Sequence, residues 1–88
     1  MIYNKRDDIM PGNVETTSYP SNAEIYIDDV LVTYEDKQPV LTPATLTLTN
    51  GYHEIRLRLR GYCDEFAYVE ILPDTVYTQY RHKNLNIC

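Results

Sequence analysis

The fold is decided by the stretch Asn50-Gly51-Tyr52-His53-Glu54-Ile55-Arg56-Leu57-Arg58-Leu59-Arg60. Charged and apolar side chains alternate strictly over residues 54–60, and a period of two is typical of a β-strand with one buried face. The apolar set Ile55, Leu57 and Leu59 predicts that buried face. The preceding Asn50-Gly51 favours a two-residue hairpin turn, because both central positions of a type I′ turn need a positive φ. We therefore predict a hairpin that joins this strand to the one before it.

The composition favours extended backbone along the whole chain. Thr, Tyr, Ile and Val supply 31 of the 88 residues, whereas Ala occurs three times. Alternation of apolar and polar residues recurs in five further segments, 13–18, 23–28, 45–49, 66–72 and 75–81. These spacings predict an all-β protein, a single antiparallel β-sandwich of six or seven short strands, Ig-like and without a helix. Asn13–Ser18 is expected to be an edge strand.

The length fits one domain with one thin core. Residues 1–11 have no clear period and end in the turn signal Met10-Pro11-Gly12, so we expect an extended N-terminal arm there. The sandwich is predicted over residues 12–82 and a polar C-terminal tail over 83–88. One stretch, residues 30–41, interrupts the strand spacing, and its polar centre predicts a loop.

The charge argues against several classes of function. Eight Lys and Arg against 13 Asp and Glu give a net charge of −5, so direct binding to nucleic acid is not expected. The same charge is compatible with ordinary solubility, or with an acidic inhibitor that mimics nucleic acid towards a basic enzyme. No apolar run approaches the length of a membrane span, so membrane insertion is not expected either.

The N-terminus and the cysteines bear on the compartment. Two aspartates follow the first positive charges, where a secretory signal would have an apolar run. We therefore expect a protein made in the cytoplasm without a signal peptide, which leaves the cell only inside a larger particle such as a virion. Under that expectation Cys63 and Cys88 are free thiols, although the sequence leaves their pairing open.

The order of the turn residues is distinctive. The chain has Pro20-Ser21-Asn22-Ala23, a strand that closes on Asp28-Asp29, then Thr42-Pro43, Gly51-Tyr52-His53 and Gly61-Tyr62. Over residues 13–80 this order resembles bacterial PEGA domains. The resemblance implies a small β-sandwich that acts as a non-catalytic module at surfaces and in assemblies. It also implies that the shared residues build turns: Pro20, Ala23, Asp28, Thr42, Pro43, Gly51, His53, Gly61 and Tyr62. Asp29 and Asn50 are assigned to the same turns from their positions beside Asp28 and Gly51.

The chain departs from that family at two places. Asp29 stands where the family prefers glycine, so this turn has to be of another type or has to hold an aspartate in the left-handed region. The stretch before Thr42-Pro43 is longer than usual and lacks a glycine. We therefore expect that loop to be specific to this protein.

The residues that carry chemistry do not form a catalytic pattern. His53 and His82 are 29 positions apart, and neither is accompanied by a nucleophile and an orienting carboxylate. The acidic pairs lack the spacing of a calcium loop, and three glycines do not make a phosphate-binding loop. We predict no enzyme activity, no cofactor and no metal. His53 is expected to make a structural hydrogen bond beside the turn.

Contact residues are predicted from exposure. The arginines at 56, 58 and 60 are expected on one strand face at intervals of about 7 Å. They would either bind a partner's acidic patch or be balanced across strands by Asp64, Glu65 and Glu70. Tyr26 and Tyr68 should point away from the core, while Tyr52 is expected in a turn. The candidate partner contacts are Arg56, Arg58, Arg60, Tyr26, Tyr34, Glu35, Asp36 and Lys37.

Three functions are consistent with the sequence. The first is a structural or interaction module built into a larger assembly, with a phage or virus particle as the leading setting and other proteins as partners. The second is a carbohydrate- or protein-binding module at a bacterial cell surface, for which glycans are candidate ligands. The third is an acidic inhibitor of an enzyme that handles nucleic acid.

Overall fold

A computed structural model describes residues 12–72 and 78–88. The described residues form seven strands and no helix: β1 Gly12–Tyr19, β2 Glu24–Ile27, β3 Val30–Leu31, β4 Ala44–Leu48, β5 Gly51–Arg58, β6 Glu65–Ile71 and β7 Gln79–Asn84. The predicted all-β class is confirmed. The predicted arm, residues 1–11, lies outside the described residues, as does the predicted start of the last strand at Thr75.

The strands form two sheets that enclose one core. One sheet has the order β4-β1-β7 and the other the order β3-β2-β5-β6. Buried side chains from both sheets belong to a single apolar cluster, so the sheets pack face to face as a sandwich. Its members on the strands are Val14, Leu46 and Leu48 from the first sheet, and Ile25, Ile55, Leu57, Ala67, Val69 and Ile71 from the second.

The prediction that all strands are antiparallel is wrong for one pair. β1 runs parallel to β7, with Val14 beside Gln79 and Tyr19 beside Asn84. Because β4 pairs with the other side of β1, this strand is central, and its prediction as an edge strand is also wrong. Thr16 and Ser18 mark β1 as polar in sequence, yet both side chains are buried. Alternation reports which face is buried, and it carries no information about the neighbouring strands.

The hairpin predicted at Asn50-Gly51 is also wrong. Thr49 and Asn50 join β4 to β5, which begins at Gly51 and lies in the other sheet. Of Asn50 and Gly51, only Gly51 has a positive φ, at 115°, so the type I′ geometry is absent. The chain uses this glycine to cross from one sheet to the other, and β5 pairs with β2 and β6 instead.

A two-residue turn does occur at Asp28-Asp29. It joins β2 to β3, with Ile27 paired to Val30 on either side. Both aspartates lie in the left-handed region, with φ of 51° and 70°. The sequence left two possibilities for the missing glycine, and the structure has the second, an aspartate held at positive φ.

Thr42 fastens two of the predicted turns together. Its side chain is 1% exposed, and its Oγ1 accepts a hydrogen bond from the backbone N–H of Ala23 at 2.9 Å. The same oxygen lies 2.7 Å from Oγ of Ser18, at the end of β1. The peptide bonds before Pro20 and Pro43 are both cis. Buried hydroxyl and backbone groups thus satisfy one another where the turn at residues 20–23 meets the segment entering β4.

The expected free thiols and polar tail are corrected by the structure. Cys63 and Cys88 form a disulfide. The tail predicted at residues 83–88 starts within β7 and continues along the segment after β5: the backbone N–H of Cys63 donates to the carbonyl of Asn86 at 2.8 Å, and Leu85 is buried. The sequence favoured free thiols on the argument from compartment and on the position of Cys88 as the last residue, and neither argument contains geometric information.

Candidate interaction surface

The outer face of the four-stranded sheet carries exposed aromatic side chains. The register puts Tyr26, Arg56 and Phe66 in one row across β2, β5 and β6. Tyr68 and Tyr52 lie on the same face, opposite Glu54 and Glu70 respectively. We call the set Tyr26, Tyr52, Arg56, Phe66 and Tyr68 the outer aromatic face.

Exposure on this face increases away from the arginine. Phe66 is 40% exposed, Tyr68 65% and Tyr52 80%, which leaves three aromatic rings in contact with solvent on two adjacent strands. Tyr26 is half-buried, as is Arg56. Aromatic side chains combine a large contact area with few rotatable bonds, and for this reason they are enriched where proteins bind one another.

Arg56 is held in place by two neighbours. Its guanidinium carbon lies 4.4 Å from the centroid of the Tyr26 ring, a cation–π contact. Its Nη2 lies 3.9 Å from Oδ1 of Asp29, a weak and partly exposed ion pair. Its Nε is buried without a hydrogen-bond partner among the described residues. The arginine is therefore preorganised by stacking more than by hydrogen bonding.

The other two arginines have different surroundings. Arg58 is exposed and stands opposite Glu24 of β2, while Arg60 is exposed and lies beyond the end of β5. The predicted balance by acidic residues 64, 65 and 70 is wrong, because within residues 12–72 and 78–88 no ion pair joins an arginine to them. The three arginines therefore do not form a uniform stripe.

The loop residues predicted as contacts lie elsewhere. Beyond β3 the chain doubles back on itself as a narrow loop, in which Thr33 and Pro39 form an isolated antiparallel β-bridge. Its tip is a turn closed by a hydrogen bond from the N–H of Lys37 to the carbonyl of Tyr34 at 2.9 Å, and Glu35 and Asp36 occupy the exposed middle of this turn. Tyr34 lines a groove between β3 and β4 and is not part of the outer aromatic face.

The outer face of the three-stranded sheet offers a direct comparison. Its neighbouring side chains bond one another: Oγ1 of Thr17 lies 2.7 Å from Nδ1 of His82, and the hydroxyl of Thr47 donates to Oδ1 of Asn13 at 3.0 Å. Tyr80 is its only aromatic side chain within β1, β4 and β7 apart from Tyr19 at the end of β1. Polar groups that hydrogen-bond to one another leave fewer free donors and acceptors for a partner. This difference favours the outer aromatic face as the candidate site.

His53 makes the structural contacts expected beside a turn. Its Nδ1 donates to Oδ2 of Asp28 at 2.7 Å, and its Nε2 lies 2.8 Å from the carbonyl oxygen of Thr49. Asp28 also accepts the backbone N–H of Glu54 through Oδ1 at 2.9 Å. The bond from Glu54, followed by the bond from His53, holds the pKa of the Asp28 carboxyl below its ordinary value. These contacts fix the β2–β3 turn against β5.

Sequence reasoning found part of this surface and missed the rest. Tyr26, Arg56 and Tyr68 were expected to point outward, and they do. Phe66 was not singled out, and Tyr52 was expected in a turn but lies in β5. The alternation of the sequence could have placed Tyr52 on this surface, because every even-numbered position from 52 to 58 lies on the same face of the strand as Arg56.

Two kinds of feature are absent from the described residues, a cluster of metal ligands and a membrane-spanning helix. Within residues 12–72 and 78–88 no group of three or more His, Cys, Asp or Glu side chains is close enough to hold a metal ion. The same residues include no helix long and apolar enough to cross a membrane.

A family model covers most of this sequence. The family model described as PEGA domain matches residues 11–85, which is nearly the whole chain. No curated protein matches the sequence.

Proposed function

This chain belongs to the PEGA domain family, and from that premise we propose that it is a protein-binding module built into a larger assembly, which it contacts through the outer aromatic face. The family is non-enzymatic, and membership suggests a non-catalytic module that works at surfaces. The observation that carries the finer proposal is the row of exposed rings on β5 and β6 beside a preorganised arginine. Exposed aromatic patches of this kind mark binding sites.

The disulfide bears on where the module works. Disulfides persist in oxidising surroundings and are rare in the reducing cytoplasm. The Cys63–Cys88 bond therefore supports a site of action outside the cytoplasm. A phage or virus particle and a bacterial cell surface both satisfy that condition. We propose the particle as the assembly to test first, because a member of a non-catalytic family acts through what it is built into.

The experiment compares two tyrosines of nearly equal exposure. A photo-crosslinking amino acid replaces Tyr68, which is 65% exposed on the outer aromatic face, or Tyr80, which is 68% exposed on the opposite sheet. Each variant is expressed in the native host, and the particles are separated by sedimentation and analysed by mass spectrometry. The proposal expects co-sedimentation at fixed stoichiometry, with crosslinks to one partner protein from position 68 and none from position 80.

Several results would overturn the proposal. Migration as a free chain excludes an assembly component, and equal crosslinking from both positions excludes the outer aromatic face as the site. A glycan panel is titrated in parallel while tyrosine fluorescence is recorded. A saturable change that is lost in Tyr68→Ala would assign the face to carbohydrate instead. Binding to a basic enzyme with a steep dependence on salt would favour the acidic inhibitor.

A further inference from the structure

The two open sides of the sandwich differ in how their strand edges are treated. On one side β6 faces β7, and β7 supplies side chains to the backbone of β6. Nε of Arg81 donates to the carbonyl of Tyr68 at 3.1 Å, and the Gln79 amide donates to the carbonyl of Glu70 at 3.0 Å. Side-chain donors thus occupy acceptors that another strand would use, so this edge is protected.

On the opposite side the residues that the structure describes supply no comparable protection. β4 is the last strand of its sheet and β3 the last strand of the other, and no described residue pairs with the outer edge of β4. Between the two strands lies a groove of about 1000 Å³. The strand Ala44-Thr45-Leu46-Thr47-Leu48 contains neither a charge nor a proline, and these are the features that usually prevent edge-to-edge pairing.

The charge distribution indicates which partner suits this edge. The chain carries −5 overall, yet residues 38–53 contain no Asp, Glu, Lys or Arg over 16 positions. The groove beside β4 is also lined without a charged side chain. Two copies of an acidic protein repel each other through most of their surfaces. They can approach through β4 without placing like charges in contact.

The sequence of β4 is also suited to pairing with itself. In an antiparallel pair centred on Leu46, Thr45 stands opposite Thr47 of the second copy, and Leu46 stands opposite its own equivalent. Thr45 and Thr47 are exposed on the outer face, while Leu46 is buried on the inner face, so this register keeps each kind of side chain on its own side. Threonine pairs across antiparallel strands are favourable.

We propose that β4 is a self-association edge, through which two copies of this chain form a symmetric dimer with a continuous six-stranded sheet. A two-fold axis relates the copies, so each supplies the same strand to the contact. This site lies on the other sheet from the outer aromatic face, and the proposal does not depend on the proposed function.

The test introduces charges at two exposed positions, Thr45 and Thr47. Sedimentation equilibrium of the disulfide-bonded full chain is expected to give a monomer–dimer equilibrium. Thr45→Lys with Thr47→Lys places lysine opposite lysine twice across the axis, and the dissociation constant should rise on the order of ten-fold or more. Thr45→Lys with Thr47→Glu places lysine opposite glutamate twice in the same register, and dimerisation should return.

The controls separate loss of pairing from loss of folding. Thr45 stands beside Glu15 and Thr47 beside Asn13 on β1, so a lysine at either position is not placed opposite a like charge across the β1–β4 pair. Both variants lose the exposed hydrogen bond from the Thr47 hydroxyl to Asn13, so the two variants should unfold in urea at similar midpoints. A chain that stays monomeric up to millimolar concentration would overturn the proposal. So would a dimer that the two lysines leave unchanged, or one that the lysine–glutamate variant fails to restore.

Discussion

The substitution Thr→Val has opposite predicted effects at two buried positions. Thr42 and Thr16 are each 1% exposed, and valine matches threonine in shape while lacking its hydroxyl. At position 42 that hydroxyl accepts the N–H of Ala23. At position 16 it has no hydrogen-bond partner among the described residues. The comparison therefore isolates the hydrogen bond from burial and side-chain volume.

The size of the stability loss in Thr42→Val depends on which hydrogen-bond donor loses its acceptor. The Ser18 hydroxyl donates to the carbonyl of Pro20 at 2.7 Å, so its single proton is already used and the Thr42 hydroxyl donates to Ser18. After Thr42→Val, Ser18 keeps its own bond, but the N–H of Ala23 has no acceptor at a position that is fully buried. An unsatisfied buried donor costs about 1–3 kcal/mol. We expect the free energy of unfolding to fall by about 2 kcal/mol.

At position 16 the sign reverses. Thr16→Val removes a buried hydroxyl that has no partner among the described residues, and valine also suits a central strand. We expect the free energy of unfolding to rise by about 1 kcal/mol. Urea unfolding followed by circular dichroism measures both variants against the unsubstituted chain. A loss at position 16 as large as that at position 42, or a change below about 0.5 kcal/mol at position 42, would refute the hydrogen-bond argument.

Three further predictions concern the β2–β3 turn and the disulfide. Asp29→Gly should raise the free energy of unfolding by up to about 1 kcal/mol, because glycine adopts the φ of 70° without strain; Asp28→Gly should lower it, because the bonds to Glu54 and His53 are lost. The pKa of Asp28 is depressed in the folded state, so its stabilising contribution is present above the unfolded-state pKa of about 3.9 and is lost as the pH falls through the lower folded-state value. The stability gap between the unsubstituted chain and Asp28→Asn should therefore narrow below about pH 4, and a constant gap in urea titrations from pH 6 to 3 would contradict this. Replacing Cys63 and Cys88 by alanine opens a link between residues 25 apart and should cost about 3 kcal/mol; an unchanged thermal midpoint would argue against the disulfide.

The predictable part of the fold was the burial pattern of single strands. Ile55 and Leu57 were assigned to the core because alternation depends only on residues that are neighbours in sequence. The partners of a strand depend on contacts between distant residues, which alternation does not report. For this reason β5 was predicted correctly as a strand and incorrectly as the partner of β4. The parallel pairing of β1 with β7 escaped prediction for the same reason.

The turns also show that local sequence preference and the pairing of distant strands are separate matters. Asn50-Gly51 and Asp28-Asp29 both occur at a bend in the chain, but only the second pair forms a two-residue hairpin. Asn-Gly has the stronger intrinsic preference for that turn. The outcome depends on whether the flanking strands share a sheet. At Asp28 additional bonds to β5 help to hold a backbone conformation that the sequence alone disfavours.

The candidate site was only partly predicted. Alternation indicates which side chains are exposed, but it does not indicate which charged or aromatic side chains lie beside them. Arg56 faces outward as expected, but its neighbours Tyr26 and Asp29 come from β2 and the turn after it. The expected acidic partners follow β5 in the sequence, where the pairing register was unknown. A correct register would have given the row of Tyr26, Arg56 and Phe66 directly.

The outer aromatic face and the β4 edge belong to different sheets, so occupancy of one does not block the other. This separation makes the two proposals independently testable in one set of variants. Thr45→Lys with Thr47→Lys should weaken dimerisation and leave crosslinking from position 68 unchanged, while Tyr68→Ala should leave the dimer intact. If either variant lost both dimerisation and binding of the partner protein, the two surfaces would have to be one interface. The hydrogen bonds from Arg81 and Gln79 to the backbone of β6 argue against that, because β6 carries two of the aromatic rings and its free edge is already protected from pairing with another strand.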